Sequence, residues 1–105
     1  PAESLRPPAP TPALLAAGKL LYEGASGCAA CHGVSGAGDG PVAFALKPAP
    51  RNLVRDAYKA GDSVEQVFHT ITHGLPNTRM VGYPNLSDAD RWAIAHHVVR
   101  FRARK

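Results

Sequence analysis

Two thiols and an imidazole stand together in the run Cys28-Ala29-Ala30-Cys31-His32. On a helical turn, residues three and four apart share a face. Cys28 and Cys31 are three apart, and Cys28 and His32 four, so all three side chains project to one side. That set suits covalent attachment of a c-type haem. The thiols bond two vinyl groups along one haem edge, and His32 ligates the iron from below. Three other chemistries use a close cysteine pair. A thioredoxin-like redox pair sits in a βαβ pattern, and no strands are visible here. A structural zinc site takes four ligands, and both cysteines of the chain are already in this run. A disulfide across two residues would be an odd sole staple for a secreted domain. The expected cofactor is therefore one haem c, covalent through two thioethers.

Met80 is the chain's single methionine. A lone Met is ordinarily core filler. Here it lies in the polar stretch Thr78-Arg79-Met80-Val81, between two helical patterns, which suits a distal thioether ligand better. His69 and His73 are four apart on a predicted helix and share a face. Only two ligands are visible there, and the Glu of the metalloprotease order is missing, so neither a metal role nor a distal haem role is expected of them. His73, next to Gly74, reads as a helix-end residue. His96 and His97 are adjacent, point about 100° apart and cannot both reach one iron.

These features occur in a fixed order: Cys28 to His32, Gly38-Asp39-Gly40-Pro41, Pro50-Arg51-Asn52-Leu53, Met80, and a helix opening Arg91-Trp92-Ala93-Ile94. The order and spacing resemble a small monohaem class I cytochrome c, over about residues 13 to 103. The resemblance implies an all-α fold, three main helices around a covalently bound haem with long loops. It implies that the Pro41 carbonyl accepts the second ring nitrogen of His32. It places Thr78 where a hydroxyl bonds a haem propionate, and puts an aromatic-type core role on His97. Arg51 is a candidate partner for a propionate, or an exposed cation. Phe44 and Leu46 are expected on the haem, and Tyr83 in its pocket.

The elements that must hold these groups are legible in outline. Thr11 can cap a first helix with Pro12 at its first position. Leu14, Leu15, Leu21 and Tyr22 give that helix its apolar surface. Gly18 inside it costs about 1 kcal/mol against Ala, which the close crossing with the C-terminal helix implied by the resemblance would offset. Gly24 and Gly27 end the helix. Residues 33 to 62 are rich in Gly and Pro; Gly33, Gly36, Gly38 and Gly40 permit tight turns, with no phosphate-loop Lys following. Ser63-Val64-Glu65-Gln66 reads as a capping box opening a helix with the stripe Val64, Val67, Phe68 and Ile71. Gly74 stops it. Residues 74 to 86 form a loop. Ser87 to Asp90 cap a last helix, made amphipathic by Trp92, Ile94, Ala95, Val98, Val99 and Phe101.

Length and charge set the remaining bounds. The 105 residues make one domain with limited core of its own. Residues 1–12 hold five prolines and read as an arm or linker, with the cytochrome-type domain at 13–105. That arm is either a simple mature N-terminus or a tether to a membrane anchor or another domain. The net charge of +4 is mild, and the chain lacks the dense basic runs of a nucleic-acid binder. The cations Arg100, Arg102, Arg104 and Lys105 suit the end of the last helix, or an acidic partner surface. No apolar run is long enough to span a membrane or act as a signal peptide. The expectation is a chain that has lost a signal or anchor, or a cut-out domain, working in the periplasm or elsewhere outside the cytoplasmic membrane.

The expected function is one-electron transfer by a monomer that docks transiently with donor and acceptor proteins at an exposed haem edge, and is not itself an enzyme. Two alternatives stand beside it. One is an electron-entry domain or subunit of a larger redox enzyme, such as a terminal oxidase, nitrite reductase or dehydrogenase. The other is a ligand-binding or peroxidatic haem protein with a labile distal site.

Overall fold

Among the described residues there are four α-helices: α1 (Pro12–Leu20), α2 (Cys28–His32), α3 (Val64–His73) and α4 (Asp88–Arg102). A π-helical turn, Leu21–Ala25, extends α1, and a 3-10 turn, Ala43–Ala45, follows α2. The computed structural model describes residues 7–25, 27–46, 50–58, 61–76, 78 and 80–102. The first half of the proline arm, Arg79, Arg104 and Lys105 lie outside the described residues. Among the described residues the only β pairing is an isolated antiparallel bridge, Gly74 with Val81. The fold is all-α, as expected.

Local chemistry accounts for the helix ends. The Thr11 hydroxyl accepts from Leu14 N at 3.2 Å, with Pro12 opening α1. Ser63 and Gln66 bond reciprocally, each at 3.1 Å, and close the capping box of α3. Gly74 ends α3 at φ 74°, a left-handed conformation that glycine adopts without a Cβ penalty. Ser87 Oγ accepts from Asp90 N at 3.1 Å at the start of α4.

α4 is the spine of the core. Trp92, Ile94, Ala95, Val98 and Phe101 are buried along it, against Val67, Phe68 and Ile71 of α3 and Tyr22 of the π turn. Phe68 and Trp92 stack with centroids 3.9 Å apart. His97 is buried between the Tyr22 and Phe101 rings, 5.1 Å from each centroid, in the aromatic-type role expected of it. α1 crosses α4 at Gly18. A Cβ there would stand 2.0 Å from the Ala93 carbonyl oxygen and 3.2 Å from His97 Cβ. The glycine lets two backbones touch, which is why it is tolerated inside a helix.

One expectation is corrected here. Phe44 is 88% exposed and does not face the interior. It sits in a single 3-10 turn, in which residues two apart point in different directions. Leu46 lines the central cavity, and the same turn sends Phe44 outward.

Candidate functional site

A cavity of about 400 Å³ opens between α2, α3, α4 and the loop after α3. Cys28, Cys31, His32, Arg51, Thr78 and Met80 all border it. Its walls are otherwise mostly apolar: Leu53, Val67 and Ile71, with Ile94 and Val98 from α4. No Asp or Glu is among the described residues that line it. Six of the seven residues singled out in the sequence therefore share one space; the seventh, Pro41, does not.

The thiols are placed by the short helix α2. Gly27 enters it at φ 74° and Gly33 leaves it at φ 82°. Gly33 is pinned by the fully buried Tyr22, whose hydroxyl donates to the Gly33 carbonyl at 2.6 Å. Neither cysteine is in a disulfide.

His32 is oriented from a distance. Its Nδ1 lies 3.0 Å from the Arg51 carbonyl oxygen. A carbonyl only accepts, so Nδ1 carries the proton and Nε2 keeps its lone pair. Burial lowers the His32 pKa, partly opposed by that backbone bond. The neutral imidazole is the form a metal ligand requires. The acceptor is thus Arg51, and the Pro41 carbonyl is not. Gly40 N bonds the Cys31 carbonyl and Val42 N the Ala30 carbonyl, both at 3.0 Å. Those bonds hold Pro41 on another surface of α2, in a shallow depression beside Ala29, Ala30 and Val34.

Arg51 owes its position to a segment the sequence did not mark as a unit. Asn52 Oδ1 accepts from Val54 N and Arg55 N, at 3.0 and 3.1 Å, and Asp56 accepts from Asn52 N at 2.9 Å. Arg102, at the end of α4, clamps the same segment. It donates to the Val54 and Asp56 carbonyls at 3.0 and 2.7 Å, pairs with Asp62 at 3.3 Å, and lies 5.0 Å from the Tyr58 ring centroid. The sequence offers Arg102 as a helix-end cation or part of an acidic partner's docking surface. Its long-range role had no sequence signal, because its partners are carbonyls 46 and 48 residues away. The Arg51 guanidinium makes no ion pair among the described residues.

The Met80 loop is fastened to the end of α3. Leu75 N bonds the Met80 carbonyl at 3.0 Å, and Tyr83 N the Ile71 carbonyl at 2.7 Å. The Thr78 hydroxyl donates to the Leu75 carbonyl at 2.8 Å and accepts from Met80 N at 3.1 Å. Thr78 therefore shapes the loop itself. Arg91 closes the far end, donating to the Tyr83 carbonyl at 2.9 Å while paired with Asp88. Burial raises the Tyr83 pKa, and the two cysteines beside it add to that rise.

Two other phenols give a pH prediction. Burial raises the Tyr22 pKa far above its ordinary value, and raises that of Tyr58 to about 12. Each is raised in the folded state, so its contribution is whole below the unfolded value of 10.0 and is lost as pH rises above it. Urea unfolding between pH 8 and 12 is expected to show stability insensitive to these groups up to about pH 10. Above that, the folding constant should fall roughly tenfold per pH unit for each phenol. Replacing Tyr58 with Phe should shallow that fall.

The donor set fits a haem: two thiols and a neutral imidazole on one apolar wall, and a thioether on the same cavity. The comparisons with known proteins agree. A family model described as cytochrome c matches residues 15–101. A solved structure, from the reducing HAO-like protein complex of Kuenenia stuttgartiensis, superposes with a TM-score of 0.84 and 35% identity. It matches over 91% of this chain and 47% of its own, so the chain spans about half the length of that neighbour. No curated protein matches the chain.

Proposed function

The chain belongs to the cytochrome c family, and from that premise we propose that it moves single electrons between redox proteins, with His32 and Met80 as the two axial ligands. The observation that carries this reading is the meeting of Cys28, Cys31, His32 and Met80 on one apolar cavity. A covalently held haem supplies a one-electron iron couple, and a Met/His pair raises its potential. The residues of the chain do the rest. Cys28 and Cys31 tether the group, Arg51 O fixes the His32 ring, and the fastened loop presents Met80. Val67, Ile71, Ile94 and Val98 keep water from the buried side. Among the described residues, Arg51 is a lining cation available to a propionate.

Were His32 and Met80 both to hold the iron, small ligands would find no open site on it, which would suit an electron carrier better than a catalyst. Transient docking with a donor and an acceptor suits that role. The location we propose is outside the cytoplasmic membrane. Among the described residues no helix is long and apolar enough to cross one.

Absorption spectra of the purified protein test the reading. Oxidised and reduced forms should show six-coordinate c-type bands, and carbon monoxide should leave the reduced spectrum unmoved. A prompt shift with the gas would overturn Met80 ligation and favour a ligand-binding haem protein.

One observation favours a second reading, that the chain is an electron-entry subunit or domain of a larger enzyme. The neighbour belongs to a protein complex and is about twice as long as the matched part. A complete reading frame encoding only this domain would count against a fusion.

A further inference from the structure

The chain has five histidines, and the fold sorts them sharply. His32 borders the central cavity. His96 and His97 are buried on α4. His69 and His73 are both exposed, on α3. The surface imidazoles therefore all occur as one pair, one helical turn apart. Their ring centroids are 4.5 Å apart with planes tilted by 49°.

We propose that His69 and His73 form a two-imidazole chelate for a divalent transition-metal ion, with Cu(II) the preferred occupant. Imidazoles at i and i+4 on one helix face are the spacing by which helical zinc sites present two nitrogens to one ion. Imidazole suits Cu, Ni and Zn, and for a given nitrogen site affinity peaks at Cu(II). Among the described residues no third His, Cys, Asp or Glu joins the pair. The remaining coordination positions are left to water or to groups from solution, so this is an exchangeable surface site and not a closed structural one.

The helix is ready for this load. Its N-terminus is held by the Ser63–Gln66 capping box, and its opposite face is buried through Val67, Phe68 and Ile71. Binding requires no backbone rearrangement, only rotation of two exposed rings. The ion would bridge the last two turns of α3. Those turns also anchor the Met80 loop, through Tyr83 N on the Ile71 carbonyl at 2.7 Å. Occupancy therefore stiffens the support of that loop.

The test uses the oxidised, haem-loaded protein, so that added Cu(II) is not reduced. CuCl2 is titrated in and followed by electron paramagnetic resonance and calorimetry. The expected result is one equivalent bound, with hyperfine coupling to two nitrogens. His69→Gln and His73→Gln should each remove the two-nitrogen signature and weaken binding. The double variant should abolish it, with the haem spectrum unchanged as a check on folding. ZnCl2, which is redox-inert, should raise the thermal midpoint of the wild type and not of the double variant. Copper binding unchanged in the double variant, or absent from the wild type, would overturn the proposal. The readouts are those of copper and zinc, so the outcome does not depend on whether Met80 is a haem ligand.

Discussion

On the proposed ligation, the reduced wild type should ignore carbon monoxide, and the Met80→Ala variant should bind the gas stoichiometrically. The reduction potential should fall at the same time. The substitution leaves the fastening of the loop in place. The loop is held through the main-chain groups of Met80, its carbonyl accepting from Leu75 N and its N–H donating to Thr78 Oγ1. An alanine keeps both, so the loop should persist while the thioether is lost. Axial ligands set haem potentials over a span of about 0.8 V, so loss of one should be plain in a redox titration. Spectra, gas response and potential all matching the wild type would sink the distal assignment. Loss of folded protein is separable, because circular dichroism would report it directly.

Gly18→Ala is expected to destabilise the protein, against the sign of helix propensity. Propensity alone would favour Ala by about 1 kcal/mol. The new methyl would stand 2.0 Å from the Ala93 carbonyl oxygen. That is backbone on a neighbouring helix, which cannot rotate aside, so α1 must move off α4. Overpacking of this kind costs about 1–3 kcal/mol, a fall of roughly 5–20 °C in the thermal midpoint for a chain of this size. His97 lies under the same contact and would shift with it, disturbing the Tyr22 and Phe101 rings. A variant as stable as the wild type would mean that the crossing is looser than its geometry states.

Legibility followed range. Thr11 with Pro12, Ser63 with Gln66, and Gly74 are decided by neighbours within four residues, and all three behave as read. The run from Cys28 to His32 is likewise local: its spacing alone puts three groups on one side, and they do border one cavity. Gly18 was legible only with help, because its reason lies on a helix 75 residues further on. Apart from Phe44, the failures are long-range. Pro41 and Arg51 are both plausible acceptors for His32, and nothing in the spacing separates them. What separates them is the pair of bonds from Gly40 and Val42 back onto α2. The clamps by Arg91 and Arg102 end on carbonyls, which every residue carries, so no side-chain pattern foretells them. Phe44 was misplaced because apolar character says that burial is favourable, not that a three-residue turn can reach it.

His96, buried on α4, makes its polar contact at Nε2, 2.8 Å from the carbonyl of Pro8. Ile94 and Val98, two residues to either side, line the cavity. At 100° per residue, His96 points away from both, to the back of α4. The proline arm is thus moored behind the cavity. Pro8 therefore joins the domain on the side away from the cavity, and its mooring leaves the cavity side clear for a docking protein.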